Sequence, residues 1–514
     1  MITSIAIRLD SGTPIGSGHL VRCHTLATAL RRRGANVRFV CRQRPGDMSD
    51  RLAADGFVVH RLPLSSDDAL SRDTVGAQWL GETIERDATD TIAALGGKPL
   101  DWLVVDHYAA GAHWHAQLRP HVERIMVVDD LADRALDCDV LLDQNWFGSR
   151  TEARYDELVA PARTRLLGPR YALLQPEYAE RRRVASKRSS GVRRVFVYFG
   201  AGDPTNETAK ALDALSRPQL ADLAVDVVIG PCHPDPRGVE HAVQRRSGAT
   251  LYHEVGSLAS LMLTADVAVG AGGATTWERL CLGVPSIVTT IAANQEPIAR
   301  ALHEHGLIRW LGGSGQTSAT SYADALISAP TPSPQQSPLV DGRGAQRVVE
   351  VMMPSVRGDL VLRPATSDDV LDFFDWRNEP FARAMSFSSA PIVWSEHVAW
   401  FHRRLHDRDT EMFVLEARGL PVGQLRLDLT PATATVSYSV DRLARGRGWG
   451  AWMIDEVIRM SEALRSRVIK AEVRIENAAS RRIFQRLGWA ERLGADGRLM
   501  YSRPYAPTNL YDNR

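Results

Sequence analysis

The chain is poor in cysteine and has no long apolar run. Five cysteines stand among 514 residues, far apart and without any Cys-x-x-Cys pair. This odd number and this spacing argue against a disulfide framework and a structural zinc site, so we expect a reducing, cytoplasmic environment. No stretch approaches the roughly 20 apolar residues of a membrane-spanning helix, and Met1 leads into a strand pattern without a signal sequence. The sequence therefore predicts a soluble protein that does not act on a membrane.

An excess of charge of one sign is also missing. The 62 basic and 61 acidic residues give a formal net charge of +1, and arginine is spread over many segments. Proteins that bind nucleic acid usually concentrate positive charge on one surface, so nucleic acid is not an expected partner. No group of His, Asp and Glu has the spacing of metal ligands, so no metal is expected. The composition favours a protein that acts on small molecules.

The order of strand and helix patterns predicts three domains, as the length suggests. Short apolar runs alternate with helical patterns, and the alternation restarts near residue 195, which is typical of two doubly wound parallel sheets in tandem. A stretch rich in Ser, Thr, Pro and Gln over residues 314–338 predicts a surface connection. The expected fold class is α/β, with Rossmann-like domains at residues 1–165 and 166–353 and an α+β domain at residues 359–514.

A histidine follows the first strand pattern. The apolar run at residues 5–7 leads into the segment Asp10-Ser-Gly-Thr-Pro-Ile-Gly-Ser-Gly-His19, and a helical pattern carrying Arg22 comes next. A histidine behind glycines, where a strand becomes a helix, is open to a ligand and close to a helix N-terminus. The glycines do not form the Gly-x-Gly-x-x-Gly pattern, so a dinucleotide oxidoreductase is not expected.

The C-terminal domain contains a glycine-rich loop before a helix. The loop Arg445-Gly-Arg-Gly-Trp-Gly450 follows a strand pattern at residues 433–440, and it suits a pyrophosphate because glycine backbone N–H groups and a helix N-terminus attract anions. A further strand leads to Asn477-Ala-Ala-Ser, and the segment ends in Leu-Gly-Trp489. This order resembles the GCN5-related N-acetyltransferases (GNAT) over roughly residues 359–514. The resemblance implies acetyl-CoA as the acetyl donor, with cofactor contacts from Arg445, Gly446, Arg447, Gly448, Gly450 and Asn477.

One position departs from that family. Phe484 stands where many members have a tyrosine whose hydroxyl protonates the departing thiolate. A phenylalanine cannot do this, but a thiolate with a pKa of about 8.5 is a tolerable leaving group. A hydroxyl from Ser480 or Tyr501 could replace the missing acid.

The start of this domain resembles the PseH-like branch of the family, which acetylates amino groups on nucleotide-activated deoxysugars. The resemblance places Trp376, Arg377 and Asn378 on the acceptor side, while the alternative is a helix end with one core aromatic residue. The acceptor amine must lose a proton before it attacks, which needs a carboxylate, a histidine or a water chain. Glu472 and Asp441 lie near strand ends, and the sequence does not rank them.

Glycine-bearing loops follow two strands of the second Rossmann-like domain. Glu278 lies early in the helix after the second loop, where its carboxylate could accept both hydroxyls of a ribose while the loop faces phosphates; the alternative is an ordinary solvated acid. This arrangement resembles the nucleotide-sugar-binding half of the glycosyltransferase-B fold, which implies UDP in the cleft between two domains. The candidate contacts are Gly200, Gly202, Asp203, Gly272, Gly273, Glu278, Asn294 and Gln295.

The N-terminal motifs together strongly resemble one family over about residues 1–353. It is the UDP-2,4-diacetamido-2,4,6-trideoxy-β-L-altropyranose hydrolases of pseudaminic acid synthesis, the PseG family. The resemblance implies that water attacks the anomeric carbon with inversion and that UDP is released, with His19 as the catalytic histidine. The motifs that carry it include Arg8-Leu-Asp10, Gly16-Ser-Gly18-His19, Arg22, Asp106-His107-Tyr108, Asp129-Asp130, Asn145 and the loop at Gly200.

The residue types suit this chemistry. An unperturbed imidazole titrates near pH 6.5, so His19 can take a proton from water at neutral pH. Asp10 ends the first strand and could orient His19 or hold a sugar group, and Asp106 and His107 end another strand at the same edge. The alternative for each is a strand-end residue that bonds the local backbone. We count His19 and Asp10 as catalytic candidates, and the expected substrate contacts of this half are Arg8, Gly18, Arg22, Asp106, His107 and Tyr108.

The two halves predict a bifunctional enzyme. The C-terminal domain would acetylate the 4-amino group of a UDP-activated amino-deoxysugar, and the N-terminal half would hydrolyse the product. Two alternatives remain: a glycosyltransferase joined to an acetyltransferase, and an acetyltransferase whose N-terminal half only binds the UDP-sugar. The sequence leaves the oligomeric state open.

Overall fold

The computed structural model describes residues 2–12, 15–64, 80–97, 99–184, 191–253, 255–328, 338–465, 467–494 and 497–504. Contacts divide the chain into two compact units, Met1–Val349 and Glu350–Arg514. Of the predicted Ser- and Pro-rich connection at residues 314–338, residues 329–337 lie outside the described residues, whereas Ala319–Ile327 form a helix with a buried face instead of an extended connection.

The first sheet is parallel and has seven strands in the order β3-β2-β1-β4-β5-β6-β7. Consecutive residues of β1 are buried, which indicates that both faces of the sheet are covered. The strands are β1 Ser4–Leu9, β2 Asn36–Arg42, β3 Val58–Leu62, β4 Leu100–Asp106, β5 Val122–Val128, β6 Val140–Asp143 and β7 Thr164–Leu167. The accompanying helices are α1 Gly18–Arg32, α2 Asp50–Ala54, α3 Ile84–Leu95 and α4 Ala112–Leu118.

The second sheet is also parallel, with six strands in the order β10-β9-β8-β11-β12-β13. Its strands are β8 Arg194–Tyr198, β9 Ala224–Ile229, β10 Ala249–His253, β11 Val267–Ala271, β12 Ser286–Thr290 and β13 Arg309–Gly313. The helices of this part are α5 Pro176–Val184, α6 Glu207–Leu215, α7 Pro236–Gln244, α8 Ala259–Thr264, α9 Thr275–Cys281, α10 Glu296–Glu304, α11 Ala319–Ile327 and α12 Gly344–Met352.

The third sheet lies in the second unit and is mixed, in the order β14-β15-β16-β17-β18-β20-β19. Only β17 and β18 are parallel neighbours, and they pair over three residues each before they separate. The strands are β14 Leu360–Pro364, β15 Thr410–Ala417, β16 Leu420–Leu429, β17 Thr433–Val440, β18 Val468–Val473, β19 Ala490–Leu493 and β20 Leu499–Pro504. The helices are α13 Val370–Asn378, α14 Pro380–Ala384, α15 Trp394–Leu405, α16 Trp449–Met460 and α17 Ala478–Arg486.

The expected fold class is confirmed: two tandem Rossmann-like domains are followed by an α+β domain. In the described part of the chain, no helix is long and apolar enough to cross a bilayer, and no three His, Cys, Asp or Glu side chains cluster as metal ligands.

Candidate active sites

The first sheet brings the candidate hydrolytic residues together. Ligands of a doubly wound sheet bind outside the carboxyl ends of its strands, where the strand order reverses. In this sheet the reversal lies between β1 and β4. Asp10 follows β1, Asp106 ends β4, and His19 lies in the first turn of α1. One small pocket is lined by Asp10, Ile15, His19, Asp106, His107 and Tyr108.

Asp106 holds the imidazole of His19. The distance from His19 Nδ1 to Asp106 Oδ1 is 2.6 Å, and Arg22 donates through Nε and Nη2 to the two Asp106 oxygens, each at 2.6 Å. Burial would raise the pKa of Asp106, but the charges of Arg22 and His19 hold it well below its usual range. The ionised carboxylate therefore accepts from Nδ1–H. His19 Nε2 is left to accept a proton, and it has no hydrogen-bond partner among the described residues.

Among the described residues no hydrogen bond joins Asp10 to His19, whereas Asp106 makes one, so the geometry favours Asp106 as the residue that orients His19. The Asp10 carboxylate bonds the Arg8 guanidinium, the Arg42 backbone N–H at 2.8 Å and His107 Nε2 at 3.2 Å. Arg8 and His107 hold the pKa of Asp10 below its usual range in spite of burial. With both oxygens occupied, Asp10 is an unsuitable base. That Asp10 holds a sugar group stays a prediction.

Arg8 and His107, which were predicted to contact the substrate, bond the Asp10 carboxylate. Arg8 is 1% exposed and its guanidinium also bonds Asp87 at 2.7 Å. His107 accepts the Ala109 backbone N–H at Nδ1, so its Nε2–H donates to Asp10. Burial lowers the pKa of His107. The structure thus gives Arg8 and His107 partners within the protein.

Tyr108 links the pocket to the second Rossmann-like domain. Its hydroxyl donates to Asp130 Oδ2 at 3.0 Å and accepts from Asn294 Nδ2 at 3.3 Å. The Tyr108 ring meets the His19 ring edge-on, with centroids 4.6 Å apart. Asn145 donates to Asp130 at 2.8 Å. The predicted contact residue Asn294 therefore lies beside the His19 pocket.

The second sheet reverses its strand order between β8 and β11, and the two predicted glycine loops follow these strands. Gly200 has φ +95°, which glycine adopts without strain, and Gly202 has open space around it. Asp203 is 1% exposed and accepts the backbone N–H groups of Glu207 and Thr208 at 2.9 and 2.8 Å. The carboxylate of Asp203 therefore caps α6, and a substrate contact from this residue stays a prediction.

The Glu278 carboxylate has one oxygen that could still accept a hydrogen bond from a ligand. Glu278 Oε2 is buried with no partner among the described residues, and the Tyr178 hydroxyl lies near enough to the carboxylate to favour its ionised form. Burial raises the pKa of Glu278 to about 7. Buried polar atoms are nearly always hydrogen-bonded, and Glu278 Oε2 is not in the described part of the chain. A ligand hydroxyl that donates to Oε2 would supply the missing hydrogen bond. The side chain of Gln295 lies beside Gly272 and Gly273, and its Oε1 accepts the Ile291 backbone N–H at 3.0 Å.

The predicted phosphate loop precedes α16 in the second unit. Gly446 and Gly448 have φ of +79° and +78°, and Gly448 is the N-cap of α16 without a side-chain cap. The first N–H groups of the helix are thus open to an anion. Gly450 serves close packing, because a Cβ there would lie 3.1 Å from Ile483 Cδ1.

The two arginines of this loop are engaged in ion pairs. Arg445 donates to Glu379 at 2.8 Å, and Arg447 donates to Glu350, the first residue of the unit, at 2.6 Å. Asn477 caps α17 through its Oδ1, which accepts the Ser480 backbone N–H at 3.0 Å. Cofactor contacts from these side chains stay predictions.

All three predicted acceptor contacts have hydrogen-bond partners within the protein. Trp376 is 4% exposed and donates from Nε1 to Asp441 at 2.8 Å. Asn378 makes two hydrogen bonds with the backbone of Ile392, at 3.0 and 2.8 Å. Arg377 donates to the Ser388 carbonyl at 2.8 Å, while its Nη1 is buried without a partner among the described residues. Of the three, Arg377 keeps a free donor for an acceptor.

Sequence reasoning missed two tyrosines, Tyr178 and Tyr438. Tyr178 on α5 influences the Glu278 carboxylate from about 100 residues away in the chain, and no local pattern marks such a pair. Tyr438 shares a strand face with Ala434 and Val436, so its position in the alternation indicates a core residue.

The family comparison agrees with the C-terminal fold. The model of the acetyltransferase (GNAT) domain matches residues 359–490. The second unit is therefore a GNAT acetyltransferase domain, and acetyl-CoA is the acetyl donor of that class. The chain as a whole joins two Rossmann-like domains to this acetyltransferase domain.

Two curated proteins are similar to most of the chain. An uncharacterized protein of Methanocaldococcus jannaschii is 22% identical over 418 residues, which cover 78% of this chain and 78% of that protein. The spore coat polysaccharide biosynthesis protein SpsG of Bacillus subtilis is 23% identical over 359 residues, which cover 68% of this chain and 97% of that protein. Among solved structures, MurG of Acinetobacter baumannii has a TM-score of 0.46 and 13% identity, and the match covers 68% of this chain and 99% of that one.

Proposed function

We propose that the first unit hydrolyses UDP-2,4-diacetamido-2,4,6-trideoxy-β-L-altropyranose to UDP and the free sugar. We also propose that the GNAT domain acetylates the 4-amino group of the UDP-linked precursor. The observation that carries the hydrolytic proposal is the pair of His19 and Asp106, which leaves His19 Nε2 unbonded beside a pocket at the strand-order reversal.

The geometry supports His19 as the base. Nε2 takes a proton from water while the water oxygen bonds to the anomeric carbon from the face opposite UDP. The bond from that carbon to the phosphate oxygen breaks, and its electrons leave with UDP. The imidazolium is stabilised by Asp106, which Arg22 keeps ionised. Such general base catalysis typically contributes about 10²- to 10⁴-fold in rate.

The second Rossmann-like domain offers a site for UDP. The free Glu278 Oε2 would accept a ribose hydroxyl, and the loops at Gly200 and Gly272 would bring backbone N–H groups to the diphosphate. Negative charge that develops on the diphosphate would be stabilised there. Asn294, which bonds Tyr108, extends this site to the sugar pocket.

The two proposed reactions are consecutive. Acetyl transfer forms an amide at the amino group of the UDP-sugar, and hydrolysis then cleaves that product at its anomeric carbon. One chain that carries both reactions therefore supplies its own second substrate, although the order of the domains along the chain is the reverse of the order of the reactions.

The test uses acetyl-CoA and the 4-amino UDP-sugar, with UDP, acetylated nucleotide and free sugar followed by mass spectrometry. In His19→Ala we expect UDP release to fall by at least about 10²-fold while acetyl transfer continues. His113→Ala is the matched control, because the His113 side chain is 71% exposed and outside the pocket. Unchanged UDP release in His19→Ala would contradict the assignment.

The same assay separates hydrolysis from glycosyl transfer. Without any acceptor other than water, the proposed enzyme forms free sugar and UDP in equal amounts. A glycosyltransferase would form little free sugar under these conditions. If the first unit only binds the UDP-sugar, the wild-type protein would release no UDP in this assay.

A further inference from the structure

We propose that Asp130 supplies the negative charge that stabilises the imidazolium of His19 during hydrolysis. Asp130 also positions Arg22 and Tyr108, two side chains that adjoin this imidazole. The inference rests on the hydrolysis proposed for the first unit. It assigns a role to a carboxylate that is not among the residues lining the His19 pocket.

The carboxylate of Asp130 accepts hydrogen bonds from three side chains. Asp130 lies just after β5, the strand beside β4 in the first sheet. Its Oδ1 accepts from Arg22 Nη1 at 2.9 Å and from Asn145 Nδ2 at 2.8 Å, and its Oδ2 accepts from the Tyr108 hydroxyl at 3.0 Å. Burial would raise the pKa of Asp130, but the Arg22 guanidinium holds it below its usual range. The carboxylate is therefore ionised at neutral pH.

Arg22 lies between two carboxylates, and its single charge can neutralise only one of them. Its Nε and Nη2 donate to Asp106, while its Nη1 donates to Asp130. Tyr108 adds no charge, because burial raises the pKa of its hydroxyl. The three charged side chains therefore carry one net negative charge while the imidazole of His19 is neutral. This charge is balanced when Nε2 takes a proton from water, and water screens it weakly because His19 is only 5% exposed.

The acids next to Asp130 have other arginine partners. Asp129 lies 2.9 Å from Arg134, and Asp143 lies 2.8 Å from Arg154. Asp130 instead shares its arginine with a second carboxylate. Of these three neighbouring acids, Asp130 is thus the one whose charge is available to the imidazolium.

The same hydrogen bonds fix the surroundings of the imidazole. Arg22 Nη2 lies 3.3 Å from His19 Nδ1, and the Tyr108 ring meets the imidazole edge-on. The Tyr108 hydroxyl also accepts from Asn294 Nδ2 at 3.3 Å, in the segment after β12. A chain of hydrogen bonds thus runs from this segment through Asp130 to Arg22. Loss of the Asp130 carboxylate would break this chain beside the base.

The first experiment measures the protonation of His19 in the full-length protein. Histidine is labelled with carbon-13 at Cε1, the His19 NMR signal is assigned by its absence in His19→Ala, and its shift is followed with pH. We expect the titration midpoint to fall by about half a pH unit or more in Asp130→Asn, because the imidazolium loses a neighbouring negative charge.

Three further variants separate the charge of Asp130 from other effects on this titration. Asp130→Glu keeps the charge and should keep the wild-type midpoint. Asp133→Asn is the matched control, since it removes the same charge from the same loop at a side chain that is 55% exposed. Asp143→Asn identifies any part of the curve that reports Asp143, because burial raises the pKa of this acid to about 7.

The second experiment measures the kcat for UDP release. A hydrogen bond to a charged group is worth about 10- to 100-fold, so Asp130→Asn should lower kcat by that factor with little change in KM. Tyr108→Phe removes one hydroxyl and should lower kcat by about 3- to 10-fold, and it should add little to Asp130→Asn because both changes break the same bond. Tyr155→Phe is the matched control, since that hydroxyl bonds Asp129 and Asp143.

The outcomes are distinct. A folded Asp130→Asn variant with either the wild-type midpoint of His19 or the wild-type kcat would overturn the inference. If Asp130→Asn does not fold, equal kcat values in Tyr108→Phe and Tyr155→Phe would overturn it instead. Absence of UDP release in the wild type would contradict the proposed hydrolysis, while the titration of His19 would still measure the effect of the Asp130 charge.

Discussion

Arg22 and Asp106 are joined by two hydrogen bonds, from Nε to Oδ2 and from Nη2 to Oδ1, each 2.6 Å long. The same Oδ1 accepts from His19. Arg22 thus controls both the charge and the orientation of the group that holds the candidate base, although it need not touch the reacting atoms.

Arg22→Lys tests this arrangement. A lysine ammonium cannot bond both carboxylate oxygens with the fixed geometry of a guanidinium, so we expect kcat for UDP release to fall by about tenfold or more. The comparison is Arg31→Lys in the last turn of the same helix, where the arginine side chain bonds the Asp55 carbonyl. The kcat for UDP release is measured for both variants by steady-state kinetics. Equal kcat values would show that Asp106 does not need the two hydrogen bonds from Arg22.

Glu278→Gln tests the ribose contact. We expect the Kd for UDP, measured by calorimetry, to rise by about tenfold, because a hydrogen bond to a carboxylate is replaced by a weaker one to an amide. The pKa of Glu278 is raised to about 7, so the stronger, ionised acceptor forms as the pH rises through neutrality. The ratio of the two Kd values should therefore grow between about pH 6 and pH 8. A ratio near one at every pH would mean that Oε2 does not meet UDP.

Asp143→Asn tests a buried acid at the end of β6. Burial and the nearby Asp130 raise the pKa of Asp143 to about 7 from 3.8. The folded state then binds more protons than the unfolded state between these pH values, so this stabilisation is complete below about pH 4 and is lost as the pH rises through 7. We expect the Tm of the variant to fall less than that of the wild type when the pH is raised from about 5 to about 8. Asp133→Asn, at a side chain that is 55% exposed, should keep the wild-type dependence.

Gly448→Ala tests the phosphate loop. A Cβ at Gly448 meets nothing within 4 Å, so the expected cost comes from its φ of +78° and amounts to about 1 kcal/mol. If strain alters the loop, the Kd for coenzyme A should rise about fivefold. Gly419→Ala is a matched control, since Gly419 has φ +77° and open space but lies in the turn between β15 and β16. Equal affinities in the two variants would argue against a pyrophosphate at the loop.

Some strands could be predicted from the sequence because their residues are either mostly apolar, as in a strand covered on both faces, or alternate between apolar and polar, as in β17. The predicted strand at residues 433–440 agrees with the observed bounds of β17, Thr433–Val440. The edge strands β3 and β10 were missed, since one side of each has no partner strand in the described part of the chain and their burial is only partial. Polar residues in such strands weaken the periodic signal.

The candidate site was predicted as a set of residues, but its internal pairing was not. Asp10 and Asp106 both end strands at the same edge, and nothing in the local sequence says which carboxylate meets His19. The answer depends on Arg22, one turn after His19 on α1, and on Arg8 and His107, which occupy Asp10. Such choices depend on contacts between residues far apart in the chain.

The early separation of β17 from β18 also bears on which mutations the acetyltransferase domain can tolerate. Beyond residue 435, the edge of β17 that faces β18 has no partner strand in the described part of the chain. Its main-chain N–H and C=O groups are thus available to a ligand that carries its own amides, as the pantetheine arm of coenzyme A does. Recognition of that kind survives changes of side chain, so the arm of the donor could stay bound while substitutions elsewhere adapt the domain to a new amine.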